Sequence, residues 1–409
     1  MPAPCRFCAT PVEHTFSDLG MSPMANSYLT PEQGNAMEPF YPLHALVCTK
    51  CKLVQLEEFQ SGEEIFSDYA YFSSYSTSWL EHCKRYTGEM TERWGLDGSS
   101  KVVEIASNDG YLLQYFQERD VPVLGVEPAA NVARVAEEKG VPTVVKFFGV
   151  DTATELAQDG KADLLLGNNV MAHVPDLNDF VGGMKVLLKD DGVITVEFPH
   201  LLKLVELNQW DTIYHEHFCY FSFLVVSRVF EAHGLRLFDV EELPTHGGSL
   251  RIYGCHQDDP SKPETDRANE LVQREIDLGY DDIEFYAAYA RRVEAEKRDI
   301  VEFLTQLKRD GKRIIGYGAP AKGNTLLNYC GIRGDFLDYT VDLNPHKQDQ
   351  LLPGTHIPIR SPDVIKDDKP DVVFILPWNL KDEIVEQLAY IREWGGQFAV
   401  RAPEIQLIP

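Results

Sequence analysis

The sequence predicts an α/β chain: two Rossmann-like units behind a small, cysteine-stapled N-terminal segment. Three observations predict it. Two C-x-x-C pairs, Cys5/Cys8 and Cys48/Cys51, stand close to the N-terminus. From residue 101, β-branched runs alternate with apolar residues at helical spacing, the pattern of a mostly parallel sheet with helical crossovers. A second strand, glycine turn and helix begin at Arg313. The predicted domains are 1–60, 61–260 with a leading helix in 61–100, and 261–409.

The first element is read from its thiols. Two C-x-x-C knuckles deliver four thiolates, the donor set of tetrahedral zinc. Four thiolates fill the shell, so the metal is expected to be a structural staple for a segment with little core of its own. Pro11, Pro23, Pro31, Pro39 and Pro42 predict loops and short strands between the pairs. His14 and His44 are alternative ligands. Cys83, Cys219, Cys255 and Cys330 are scattered and read as buried apolar residues.

In the middle of the chain the predicted strands are Lys101–Ile105, Val123–Val126, Val144–Phe148, Asp163–Leu166 and Val193–Val196, then Arg236–Asp239 and Leu250–Tyr253. Helices are expected at Tyr111–Phe116, Asn131–Glu138 and Leu177–Leu188. Ligands of such sheets bind at the carboxyl ends of the strands. The first strand runs into Glu104-Ile105-Ala106-Ser107-Asn108-Asp109-Gly110, the second ends at Glu127-Pro128, and the fourth at Asn168-Asn169. A carboxylate after the second strand suits two ribose hydroxyls. The G-x-G-x-x-G that a nicotinamide cofactor wants after the first strand is missing. Upstream, Asp68 to Ser76 is rich in aromatic and hydroxyl groups, among them Tyr71, Ser73 and Ser74, and leads into a helix starting near Ser78.

After the fifth strand comes an insertion dense in groups that move protons: Tyr214, His215, Glu216 and His217, followed by Tyr220, Phe221 and Ser222. A half-buried aromatic strand with hydrogen-bonded histidines would look the same. His215-x-His217 has no clear third metal ligand, and H-E-x-x-H is absent. On a strand, Glu216 and His217 would face opposite ways. The segment must therefore be irregular if both serve one site.

Residues 265–310 read as one or two linking helices. Then Arg313 to Thr325 reads strand, glycine turn (Gly316, Gly318) and helix, with Pro320 in the first helical turn. Such a turn seats an anion, and Lys322 adds a charge. It is not a Walker A loop, because Asn324 stands where the lysine belongs. A second strand ends at Asp342 and Lys347 follows; a third is Val372–Leu376, with a helix over Lys381–Trp394.

Together these parts resemble the nucleotide-diphosphate-sugar C-methyltransferases, S-adenosylmethionine-dependent enzymes with an N-terminal zinc-binding domain. The motifs are the paired C-x-x-C, Glu104–Gly110 with Glu127 and Asn168, the Tyr214–Ser222 segment, and Gly316–Thr325. The resemblance covers essentially the whole chain. It departs at Ala106 and Ser107, where class I methyltransferases place glycines. It implies a class I methyltransferase middle domain with S-adenosylmethionine near Tyr71, Ser73, Ser74, Glu104, Ala106, Asn108, Asp109, Gly110, Glu127, Pro128, Asn168 and Asn169. It implies a nucleotide-diphosphate 4-keto-6-deoxysugar (dTDP or GDP) near Tyr214, Tyr220, Phe221, Ser222, Gly248, Arg251, Tyr317, Gly318, Ala319, Lys322, Asn324, Asp342 and Lys347. One structural zinc and a monomer are also implied. The reaction would be deprotonation at C3 beside the C4 ketone, then methylation of the enolate carbon. His217 is taken as base, with Glu216, Tyr214, His173 and Tyr71 around it; the sequence leaves open which of His217, His173 and Tyr71 is base and which donor. An O- or N-methyltransferase and a non-catalytic zinc-stapled scaffold are the alternatives.

Charge adds a constraint. The chain carries 38 Lys+Arg against 64 Asp+Glu, 38 − 64 = −26. That argues against nucleic acid and anionic membranes as partners. No apolar run approaches the ~18 residues of a membrane span, and residues 1–30 lack a signal-peptide pattern, so a cytoplasmic protein is expected. An anionic substrate then requires a few placed cations, with Lys322, Lys347 and Arg251 as candidates.

Overall fold

The computed structural model describes residues 3–63, 73–75 and 77–409. The chain forms two compact units, each discontinuous in sequence. The first comprises Met1–Val12, Cys48–His200 and Phe218–Asp281; the second comprises Glu13–Val47, Leu201–His217 and Asp282–Pro409.

The first unit is built on seven strands: β1 (Val102–Ile105), β2 (Val123–Val126), β3 (Thr143–Val144), β4 (Ala162–Asn168), β5 (Leu188–Pro199), β6 (Leu235–Leu243) and β7 (Ser249–His256). Their order is β6-β7-β5-β4-β1-β2-β3. Neighbours are parallel except β7, which runs antiparallel to β5 and β6. The alternating pattern anticipates this doubly wound sheet, and its strand order is the class I methyltransferase arrangement that the resemblance implies. Central strands read as apolar runs because helices cover both faces: Val102, Val103, Ile105 and Leu164 to Leu166 are all buried. Strand order reverses between β1 and β4, so Glu104–Gly110 and Asn168–Asn169 flank a switch point where such sheets bind ligands. The predicted strand Val144–Phe148 is cut to two residues. It lies at the sheet edge, where Val145 and Phe147 remain exposed. Helix α1 (Thr77–Trp94) precedes the sheet, and α2 (Ala130–Glu138) follows β2.

The second unit holds an antiparallel pair, His14–Ser22 with Tyr41–Val47. Phe16 of that pair stacks on Tyr289 at 4.6 Å, within the long helix α3 (Ile283–Arg309). The linking stretch thus resolves into two helices, Asp266–Asp277 in the first unit and α3 in the second. Six strands follow: β8 (Ile314–Tyr317), β9 (Thr340–Val341), β10 (Ile359–Arg360), β11 (Val372–Ile375), β12 (Gln397–Val400) and β13 (Gln406–Ile408). Their order is β10-β9-β8-β11-β12-β13, parallel except for β13. Helix α4 (Ala321–Cys330) connects β8 towards β9. The expected helix Lys381–Trp394 breaks into an α-helix, Lys381–Gln387, and a 3-10 segment, Ala389–Trp394. Among the described residues no helix is long and apolar enough to cross a membrane.

Candidate functional site

The four N-terminal thiols converge. Cys5, Cys8, Cys48 and Cys51 place their sulfurs within 4.8 Å of one another, the one metal-capable cluster among the described residues. Cys5 and Cys51 are 3.5 Å apart, as are Cys8 and Cys48. Each knuckle closes alike: Ala9 donates to the Cys5 carbonyl and Lys52 to that of Cys48, with Ala9 and Lys52 both left-handed. Hydrogen bonds from Cys51, Cys8 and Phe7 pull the Cys5 thiol below its usual range. Four sulfurs at this spacing fit one structural zinc with no open position. His44 is not among them; it pairs with Thr15 at 2.8 Å.

The carboxyl edge of the seven-stranded sheet is rich in acceptors. Glu127 takes the Asn108 N–H on one oxygen and the Ala129 N–H on the other, each at 2.9 Å. One backbone donor per oxygen leaves a lone pair on each, the fit expected for a ribose diol. Pro128 then turns the chain into α2. Glu104 is fully buried, and burial raises its carboxyl well above the usual range, opposed by the Tyr111 hydroxyl. Ser107 Oγ, Asp109 Oδ1 and Asn169 Oδ1 are buried acceptors with no partner among the described residues. Such unfilled acceptors suit a cofactor bearing hydroxyl, amine and sulfonium groups, so the fit to S-adenosylmethionine is good. Ser73 donates its N–H to Asn108, and Lys139 bridges Ser74 to Asp109. Ser73 and Ser74 are thereby tied to the first-strand turn. Tyr71 lies outside the described residues.

The departure from the glycine pattern has a backbone resolution. The left-handed positions are Ala106 (φ 55°) and Asn108 (φ 49°), with Gly110 at 74°. Ser107, expected to replace a glycine, is not one of them. The turn is kept without its glycines because asparagine tolerates this region and the alanine bears the strain.

Beyond β4, Asn169 is also left-handed (φ 54°), and its N–H donates to the Glu197 carbonyl at 2.7 Å. His173 ends the 3-10 turn that follows. Tyr111, which in sequence reads only as the start of a helix, hydrogen-bonds to both Glu104 and Asn168. Arg251 does not stand ready for a phosphate. It is buried against Glu197 (3.1 Å) and Glu241 (3.2 Å) and stacks on Tyr86 at 4.6 Å. Glu197 also binds His82 (2.9 Å) and Thr245 (2.8 Å). The Gly248 carbonyl takes the His200 N–H. Tyr220 and Phe221 are buried, and Ser222 caps the helix Phe223–Ala232 through the Val225 N–H.

The proton-moving segment belongs to the second unit up to His217. It is irregular, as a shared role for Glu216 and His217 requires: a turn closes from the His217 N–H to the Tyr214 carbonyl at 2.9 Å. His217 Nδ1 lies 3.2 Å from the Thr212 carbonyl, and Nε2 lies 2.7 Å from the Tyr214 hydroxyl. Asn26 donates to Glu216 at 2.7 Å, and burial raises that carboxyl. His215 is held by the Pro42 carbonyl (3.2 Å), and burial lowers its pKa. Asn26 and Pro42 come from the proline-rich segment, which nothing in their spacing linked to the histidines.

In the same unit Gly318 is left-handed (φ 88°); a Cβ there would meet Pro377 Cδ at 2.6 Å. Asp342 accepts the Ala319 N–H at 2.7 Å, and the Ala319 carbonyl accepts Lys347 (2.9 Å) and the Tyr28 hydroxyl (2.5 Å). Tyr317 bonds Gln387. Lys322, at the start of α4, reaches Asn379 (2.8 Å) and lies 4.5 Å from the Trp378 ring. Burial pushes its pKa down to about 8. Asn324 is buried and donates to the Ala25 carbonyl at 2.6 Å.

Three stretches of the chain match known families. Residues 5–66 match a zinc binding domain family, 79–240 a methyltransferase domain, and 244–403 a C-methyltransferase C-terminal domain. The C-methyltransferase NovU of Streptomyces niveus is 35% identical over 410 residues, covering 99% of this chain and 96% of that protein. Among solved structures, the PH0226 protein of Pyrococcus horikoshii matches 48% of this chain and 99% of its own at 15% identity and a TM-score of 0.38. The 1,6-didemethyltoxoflavin-N1-methyltransferase of Burkholderia thailandensis matches 44% and 82% at 20% identity and 0.33. Structural likenesses this weak say nothing of activity.

Two outcomes are expected. The purified chain carries one zinc, and Cys48→Ser lowers both zinc content and thermal midpoint, read by metal analysis and calorimetry; a zinc-free chain of unchanged midpoint would contradict the staple. Ala106→Gly relieves a left-handed alanine and raises stability by up to about 1 kcal/mol in urea denaturation, with cofactor affinity unchanged.

Proposed function

Because this chain belongs to the C-methyltransferase family that carries an N-terminal zinc-binding domain, we propose that it methylates C3 of a nucleotide-diphosphate 4-keto-6-deoxysugar, with His217 as the base. The observation that carries the reading is the pair of contacts on the His217 ring. A carbonyl only accepts, so the nitrogen facing Thr212 is Nδ1–H. Nε2 then keeps its lone pair and receives the Tyr214 hydroxyl. A neutral imidazole with one nitrogen fixed as donor presents the other as a base near neutral pH.

The C4 ketone acidifies the C3 hydrogen. Nε2 takes that proton and becomes N–H, and the electron pair moves onto the ketone oxygen as an enolate. Tyr214 accepts the new Nε2–H and turns its own proton towards the enolate oxygen, where charge develops. His215 cannot share this work, since its Nε2 is engaged by Pro42 and burial keeps the ring neutral. Burial raises the Glu216 carboxyl above its usual range while Asn26 donates to it, which holds it beside His217. Glu104, Asn108, Asp109, Glu127, Asn168 and Asn169 orient S-adenosylmethionine, which when bound supplies an electrophilic methyl group. The Gly316–Asn324 turn takes the diphosphate, with Lys322 as its charge.

His217→Asn should lower both methyl transfer and C3 hydrogen exchange into D2O by 10²- to 10⁴-fold, with S-adenosylmethionine affinity at the wild-type value; retained exchange removes His217 from the base role. Lys322 is charged below a pH of about 8 and neutral above it. Affinities for dTDP, UDP, GDP and CDP, measured by thermal shift beside S-adenosylhomocysteine, should therefore fall as pH rises from 7 to 9.5. In Lys322→Arg the fall should vanish. No response to any of the four nucleotides would sink the nucleotide-sugar reading.

A further inference from the structure

The carboxyl ends of parallel strands are where α/β sheets ordinarily hold ligands. In the second unit, part of that edge holds the protein's own chain. Three adjacent strands, β8, β11 and β12, are followed by Thr325 (in α4, after β8), Trp378 (after β11) and Arg401 (after β12). All three grip one short stretch, Trp210–Ile213. The Trp378 indole N–H donates to Asp211 Oδ2 at 2.9 Å. Arg401 binds Asp211 Oδ1 at 2.9 Å and lies 4.9 Å from the Trp210 ring. Thr325 Oγ1 donates to the Ile213 carbonyl at 3.0 Å. Asp211 and Arg401 are completely buried, and Thr325 is 2% exposed.

Two backbone carbonyls lie between these anchors, those of Asp211 and Thr212, and the Thr212 carbonyl is the one that takes Nδ1–H of His217. Asp211 is fixed before it and the Ile213 carbonyl after it, so the two peptide groups between them have little freedom to turn. We infer that Thr325, Trp378 and Asp211 are positioning residues that select the Nδ1–H tautomer of His217 by holding the Thr212 carbonyl in place. The inference deepens the reading of His217 as base: without that carbonyl the proton is free to move to Nε2, and a ring protonated at Nε2 has no lone pair there for C3. The buried hydroxyl of Thr325 then serves the reaction without touching substrate or cofactor.

The tautomer can be read without any substrate. In the full chain labelled with ¹⁵N-histidine, long-range ¹H–¹⁵N correlation of the imidazoles distinguishes Nδ1–H from Nε2–H, and His217→Asn identifies the His217 signals by their loss. Wild type should show a single Nδ1–H form. Thr325→Val, which keeps the shape and removes the donor, should convert His217 to a mixture or to Nε2–H, and Thr325→Ser should restore the wild-type pattern. An Nε2–H ring in wild type overturns the inference. So does a wild-type pattern in Thr325→Val, or a loss that Thr325→Ser fails to repair. Should Thr325→Val not fold, Trp378→Phe, which deprives Asp211 of the indole N–H, is read in the same way. Base function itself is decided separately by C3 exchange in His217→Asn, so either conclusion can fall while the other stands.

Discussion

The second unit is organised around a charge that cannot reach water. Arg401 and Asp211 are both fully buried, and each meets further partners: Arg401 reaches Glu296 and the Asn208 carbonyl, Asp211 reaches Trp378, and Glu296 takes the Trp210 indole at 2.6 Å. A buried ion pair is a poor source of net stability, because desolvation offsets most of the attraction. Its effect lies in geometry. Removing either partner strands a charge in low dielectric, at a cost of about 3–5 kcal/mol, so alternative placements of the Trp210–His217 stretch are strongly disfavoured. Tyr214–His217 themselves lie in no strand or helix. Their conformation is borrowed from this pair and from the sheet ends that supply it.

Much of this was legible in the sequence. Strand and helix alternation from Lys101 onward carried the doubly wound sheet because buried parallel strands are written as uninterrupted apolar runs. The zinc cluster was legible because thiolate spacing is a local geometric demand. What stayed hidden depended on partners distant in the chain. Asn26 and Pro42 hold Glu216 and His215 across more than a hundred intervening residues, and the Thr212 contact with His217 runs through a backbone carbonyl, which has no letter in a sequence. A lone arginine on a strand, such as Arg251, looks the same in sequence whether or not a carboxylate like Glu197 lies opposite.

The turn after β1 shows how a motif can lose its letters and keep its shape. Left-handed backbone at two alternate positions is what the nucleoside turn requires. Glycine is the least strained way to supply it, but alanine and asparagine supply it here. Charge behaves similarly. The excess of 26 acidic residues is a sum over the chain, whereas Lys322 over the Trp378 ring and Lys347 on the Ala319 carbonyl are individually placed cations.

The split of the N-terminal region between two units has a consequence for synthesis on the ribosome. Cys8 and Cys48 meet at the base of a loop whose contents, Glu13–Val47, belong with a core completed only by Asp282–Pro409. Phe16 finds Tyr289 only after that distant helix has been made. At 5–20 residues per second, the antiparallel pair 14–22/41–47 waits roughly 12–50 s for its partner. Throughout that wait its apolar face stays uncovered, and metal capture by the two knuckles would tether it as a closed loop.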